Sequence, residues 1–214
     1  MKKFVSAMAR AKQVTQKSSP SLRPLWQVVL WLSLICAALY GWTLGFPMVF
    51  DDITYLKMNP LFRAESFDYP TRFIEFATWP QKNGLDPDLA VNFITRPVAY
   101  GSFYLNYLWQ GYEPQTYRLW NIVIHLLNGL LMFQLMNLLL KRFVATSQVS
   151  KASALFMPLA LALLFIVHPL AVESVTYIVQ RFTSLAAMFG LLVLCLHVAS
   201  LGAISPRTKW LLRG

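Results

Sequence analysis

Charge is scarce in this sequence and acid scarcer still: 13% of the 214 residues are Asp, Glu, Lys or Arg, and only nine are acidic. By contrast 57% are hydrophobic and the mean hydropathy is +0.49, a balance that excludes an ordinary soluble domain. Cysteine is nearly missing. Cys36 and Cys195 both fall inside apolar runs, which argues against a disulfide framework and makes them small apolar side chains. The three histidines are too dispersed for metal-ligand spacing, so the residues give a divalent metal no support. There is no glycine-rich phosphate loop, nucleophile elbow or CxxC pair. Base exceeds acid to give a net charge of +10, yet the basic residues are scattered without a recognition motif, which speaks against a nucleic-acid partner.

What is abundant is long apolar sequence. A hydrocarbon core of roughly 30 Å needs about 20 apolar residues in a helix. Four segments meet that length: 25–46, 119–140, 154–172 (interrupted by His168-Pro169) and a fourth within 173–204, after an outer entry segment. The first follows Lys2, Lys3 and Arg10 but is longer than a signal-peptide core of roughly 7–15 residues, so it reads as a retained span. The expected class is an all-α integral membrane protein with four transmembrane helices.

The basic residues orient it. Segments 1–24, 141–153 and 205–214 hold twelve Lys and Arg and no acid, and an even number of spans puts all three on one side. The positive-inside rule makes that side cytoplasmic, with both termini there, as in a bacterial inner-membrane protein. Eight of the nine acids then fall in the extracytoplasmic loop 47–118, and the ninth, Glu173, follows the third span. Membrane lipid is the expected surrounding, and the basic side also suits contact with anionic lipid.

The 47–118 loop is long and rich in aromatic residues, among them Phe62, Phe67, Phe73, Phe76, Trp79 and Phe93, so it reads as folded on the membrane surface. Within it ITRPVAYGSFYLNYLWQG predicts a helix with Thr95 near its N-cap and Pro97 in the first turn. Tyr100, Phe103, Tyr104, Tyr107 and Leu108 form one stripe, suited either to the membrane interface or to packing against the spans. Arg96 opens this helix, where a guanidinium can meet an anion or a lipid headgroup.

Two carboxylates, Asp51 and Asp52, stand where the first span emerges in FPMVFDDITYLKMNP. Adjacent ionised groups repel and are strongly hydrated, so ending a span does not require them. In the second span Asn121, His125 and Asn128 share one face, which predicts either a cavity lining or interhelical hydrogen bonds. The segment IVHPLAVESVTYIVQRFTSLAAMF adds His168, Glu173 and Arg181. A direct Glu173–Arg181 pair is not assured by their spacing, and a buried arginine facing a cavity would suit a phosphate.

The ordered blocks FDDITYLKMNP, RPVAYGSFYLNYLWQGYEPQTYRLWNIVIHLLNGLLMF and HPLAVESVTYIVQRFTSLAAMF resemble the N-terminal part of GT-C membrane glycosyltransferases. The nearest group is the protein O-mannosyltransferase-like family, whose members often carry C-terminal tetratricopeptide repeats. The resemblance implies transfer of a sugar from a polyprenyl phosphate or pyrophosphate donor to an acceptor hydroxyl, on a protein or glycan, at the outer membrane face. It implies that Asp51 matches the catalytic acid position with Asp52 as its partner. By the same analogy Arg96, His168 and Arg181 meet the donor phosphate; the polar residues Asn121, His125, Asn128 and Glu173 are expected, from their own placement, to line the cavity. No cofactor beyond the lipid-linked sugar substrate is implied. Such enzymes have more spans than four, so a fragment, a split-gene product or a reduced relative is expected, completed by a C-terminal part or a further membrane subunit. The rival expectation is a noncatalytic membrane subunit that binds a partner protein.

Overall fold

The computed structural model describes residues 23–59, 69–78, 87–143 and 151–203. The basic N-terminal segment, Phe62, Phe67 and Trp79 of the outer loop, part of the basic linker and the tail lie outside the described residues. With them goes most of the charge behind the expected orientation.

The chain divides into two units, Met1–Trp31 and Leu32–Gly214. Of the first, only the opening turns of helix α1, Arg23–Tyr40, are described. The second unit holds everything that follows. Its helices are α2 (Tyr69–Thr78), α3 (Pro87–Thr95), α4 (Pro97–Gln110), α5 (Pro114–Phe143), α6 (Lys151–Val167), α7 (Ala171–Thr176) and α8 (Arg181–Ala203). Short turns of tighter or wider helix occupy Gly41–Thr43, Ile53–Lys57 and Ile178–Gln180.

Among the described residues three helical stretches are long and apolar enough to cross a membrane: Leu25–Thr43, Pro114–Arg142 and Ile178–Leu201. The third expected span differs. Its apolar helix covers only Phe156–Val167, because His168 precedes Pro169 and a residue before proline disfavours helical dihedrals. The helix therefore stops at Val167 instead of continuing to residue 172.

α5 is the organising element, 30 residues and roughly 45 Å long at 1.5 Å per residue. α8 and α6 pack along it. Gly129 permits the close approach of α6, since a Cβ there would lie 2.6 Å from Ile166 Cδ1. α4 ends at Gly111, whose φ of 61° lies in the left-handed region that glycine tolerates.

The core cluster joins Leu56, Phe93, Tyr100, Phe103, Tyr104, Tyr117, Ile178 and Val179. The aromatic stripe of α4 thus faces protein: Tyr100, Phe103 and Tyr104 are buried, and Leu108 at its end is exposed. Ring pairs such as Phe93–Tyr100, 5.0 Å apart and edge-on, lock α3 to α4. Thr95 lies one residue before the N-cap of α4, near it as expected. Thr95 closes α3, its hydroxyl donating to the Val91 carbonyl, and Arg96 occupies the N-cap of α4 with Pro97 at the first helical position.

Candidate functional site

The two adjacent aspartates have opposite environments. Asp51 is exposed. Asp52 is fully buried: the Val179 N–H donates to its Oδ1 at 3.0 Å and the Val49 N–H reaches Oδ2 at 3.5 Å. Burial pushes the Asp52 carboxyl above the ordinary aspartate value, opposed by these backbone donors and by the positive charge of Arg118.

Arg118 is the residue that sequence reasoning passed over. It stands in the YRLWN block near the start of α5 and is 2% exposed. Its Nε–H donates to the Thr176 carbonyl at 2.9 Å, one Nη to the Phe46 carbonyl and the other to the Pro47 carbonyl at 2.6 Å. Arg118 and Asp52 together clamp segment 46–52 onto segment 176–179. Between the clamped points Phe50 takes a φ of +46°, a left-handed conformation that costs a bulky residue about 1–2 kcal/mol. The clamp accounts for its persistence. The turn delivers the Asp51 backbone N–H to the Tyr177 hydroxyl oxygen at 3.0 Å. Burial, aided by the charges of Asp51 and Asp52, raises Tyr177 above the ordinary tyrosine value.

Beside this turn lies a cavity of about 410 Å³ lined by Phe46, Pro47, Val49, Phe50, Arg118, Glu173, Thr176 and Tyr177. Glu173 is exposed here, and Arg181 is held elsewhere.

Arg181 departs most from expectation. It is 1% exposed, and its guanidinium donates to Asn121 Oδ1 (2.8 Å), Asn106 Oδ1 (2.6 Å), Ser102 Oγ (3.1 Å) and the Tyr117 carbonyl (2.7 Å). It also lies 4.4 Å from the Phe103 ring centre. Four of its five N–H groups are thus engaged with protein acceptors, which favours a tie between α4, α5 and α8 over a contact with donor phosphate. Asn121 belongs to that tie, its Nδ2 lying 3.2 Å from the Ile178 carbonyl, and it lines none of the cavities described here.

His125, Asn128 and His168 do share a cavity, of about 440 Å³, between α5, α6, α7 and α8. His125 has a structural task there. Its Nε2–H and the Tyr40 hydroxyl both donate to the Ile166 carbonyl, at 3.2 and 2.9 Å. That carbonyl is in the last turn of α6 and has no intrahelical donor. Asn128 Nδ2 donates to the Ser184 carbonyl at 3.0 Å, and its buried Oδ1 meets no hydrogen-bond partner among the described residues. His168 is exposed and its Nδ1 accepts from the Leu170 N–H at 3.3 Å. Arg96 is exposed in a third groove, beside Phe182. The three residues expected at one phosphate are therefore dispersed over three surroundings. Among the described residues no three His, Cys, Asp or Glu side chains converge as a metal ligand set.

No family model matches the chain, and no solved structure matches it. It is similar to a protein O-mannosyl-transferase of Drosophila melanogaster, Tmtc3, with 27% identity over 194 residues. That alignment covers 85% of this chain but only 20% of the relative. The chain thus resembles one fifth of a much longer sugar transferase.

Proposed function

We propose that this chain forms the acceptor-activating part of a membrane glycosyltransferase. A sugar moves from a polyprenyl phosphate or pyrophosphate to an acceptor hydroxyl at the extracytoplasmic face. The observation that carries the reading is the division of labour in the aspartate pair. Asp52 is buried as an anchor, whereas Asp51 is exposed on a clamped, strained turn next to a cavity that Phe50, Glu173 and Arg118 line. A general base needs such a fixed backbone and an exposed carboxylate, here oriented by the Tyr177 hydroxyl.

In the proposed step the Asp51 carboxylate accepts the acceptor hydroxyl's proton as the oxygen bonds to the anomeric carbon. The carbon–oxygen bond to the lipid phosphate breaks, and the phosphate leaves with the electron pair. Arg118 lines this cavity, and its charge, with the two N–H groups not given to Thr176, Phe46 and Pro47, favours that growing negative charge. Support comes from the similarity to the O-mannosyl-transferase and from the carboxylate geometry together.

The test is Asp51→Asn in the full-length protein, reconstituted with a polyprenyl-phosphate sugar and an acceptor. Transfer should fall by the usual general-base contribution of about 10²–10⁴ while donor binding persists. Near wild-type turnover would remove Asp51 from the chemistry and favour a noncatalytic, partner-binding subunit.

A further inference from the structure

The Arg96 groove combines an unpaired cation with an apolar strip. The Arg96 guanidinium carbon lies 4.8 Å from the Phe182 ring centre, and the side chain makes no hydrogen bond or ion pair among the described residues. Stacking occupies one face of the guanidinium plane and leaves its N–H edges open for a bidentate oxyanion. The groove encloses about 290 Å³ between the α3–α4 junction and α8. On the α8 side Phe182, Leu185, Ala186 and Phe189 follow one another at i, i+3, i+4 and i+7. They form a single strip running from the arginine into a helix long and apolar enough to cross a membrane.

A cation at the end of an apolar strip on a membrane-crossing helix has the polarity of a lipid with an anionic head. We propose that this groove holds one anionic phospholipid, its phosphate on the N–H edges of Arg96 and an acyl chain along Leu185, Ala186 and Phe189. The groove lining contains no carboxylate: Asp51, Asp52 and Glu173 all lie elsewhere. Among the described residues lining the groove, a phosphate bound here meets no competing acid and no base to use it as a sugar donor. The occupant is therefore a resident membrane lipid, and the proposal does not rest on the transferase reading.

The experiment uses the full-length protein in mild detergent, offered dioleoyl phosphatidylglycerol and dioleoyl phosphatidylcholine in equal amounts, with bound lipid counted by native mass spectrometry. One phosphatidylglycerol should survive conditions that strip phosphatidylcholine. Arg96→Gln should lower its retention about tenfold, the loss of roughly one charge-assisted contact. Thr95→Glu, which sets a carboxylate beside the guanidinium on the exposed groove rim, should do the same, and both variants should melt like wild type. Equal retention of the two lipids, or unchanged retention in either variant, overturns the proposal. Displacement by an equimolar short-chain polyprenyl phosphate also overturns it and makes the groove a donor site. The Asp51→Asn protein should keep the lipid whether or not it transfers sugar.

Discussion

Two regions of this molecule bury an arginine, and they use it differently. Around Arg181 four acceptors from α4 and α5 consume its donors, and the acceptor Asn121 is itself tied to the Ile178 carbonyl. Around Arg118 the guanidinium and the neighbouring Asp52 grip backbone on both sides of a turn, yet Asp51 is left exposed beside a cavity. Polar groups in an apolar protein are costly wherever they are placed. A closed network returns that cost as fixed helix geometry, whereas an open one leaves a group available for chemistry. Burial alone does not separate the two cases. The count of acceptors already satisfied does.

The largest test of this contrast is Arg181→Met, which strands buried acceptors on two helices and should destabilise the protein by about 3–5 kcal/mol. Arg181→Lys should recover only part, since one ammonium cannot reproduce the planar fork. Unfolding in detergent reads both. Weakened donor binding in Arg181→Lys at unchanged stability would break the comparison, because the node would then be open to ligand.

Gly129→Ala should cost about 1–3 kcal/mol, because the new methyl meets the buried Ile166 side chain, which must change rotamer or carry the end of α6 away from α5. The displaced helix end is the one that Tyr40 and His125 cap, so the loss should appear in stability and spare transfer at permissive temperature. Equal losses in both would couple α6 to the aspartate turn.

Tyr177→Phe removes the oxygen that accepts the Asp51 N–H. The turn should loosen by roughly one hydrogen bond, lowering turnover about 2- to 10-fold with little change in melting. A large stability loss instead would class the Asp51 rim with the Arg181 node.

The smallest effect concerns pH. The Asp52 carboxyl is raised above its unfolded value by burial, so its contribution to stability is fully present below the unfolded value. That contribution is lost as pH rises through the folded one. Stability should therefore increase as the medium is acidified from neutrality across that window, and Asp52→Asn should flatten this part of the profile. An unchanged slope in Asp52→Asn would show that another group sets it.

The helical class and the locations of three apolar helices were legible because uninterrupted apolar length is a local signal that needs no partner. The Asp51–Asp52 pair was conspicuous, since adjacent acids are unusual at the end of such a run. Its division into a buried and an exposed carboxylate was not foreseeable, because that depends on Val179, 127 residues away in sequence from Asp52. Arg118 was missed for the same reason: its acceptors at Phe46 and Pro47 precede it by 72 and 71 residues. Periodicity placed Asn121, His125 and Asn128 on one face, but only tertiary structure divides them between a node, a helix cap and a cavity. The stop at Val167 was written in His168-Pro169, and continuing apolar sequence beyond the proline obscured it.

The Arg181 node also constrains how the chain enters a bilayer. α8 begins with an arginine whose four acceptors precede it by 60 to 79 residues. Were α8 to partition alone, that cation at the start of the segment would bear the lipid-exposure penalty, up to about 2.5–3.5 kcal/mol on insertion scales at full depth. Delivered against α4 and α5 already in place, it finds its acceptors waiting. A variant that lacks those acceptors should therefore hold the start of α8 in the bilayer less well.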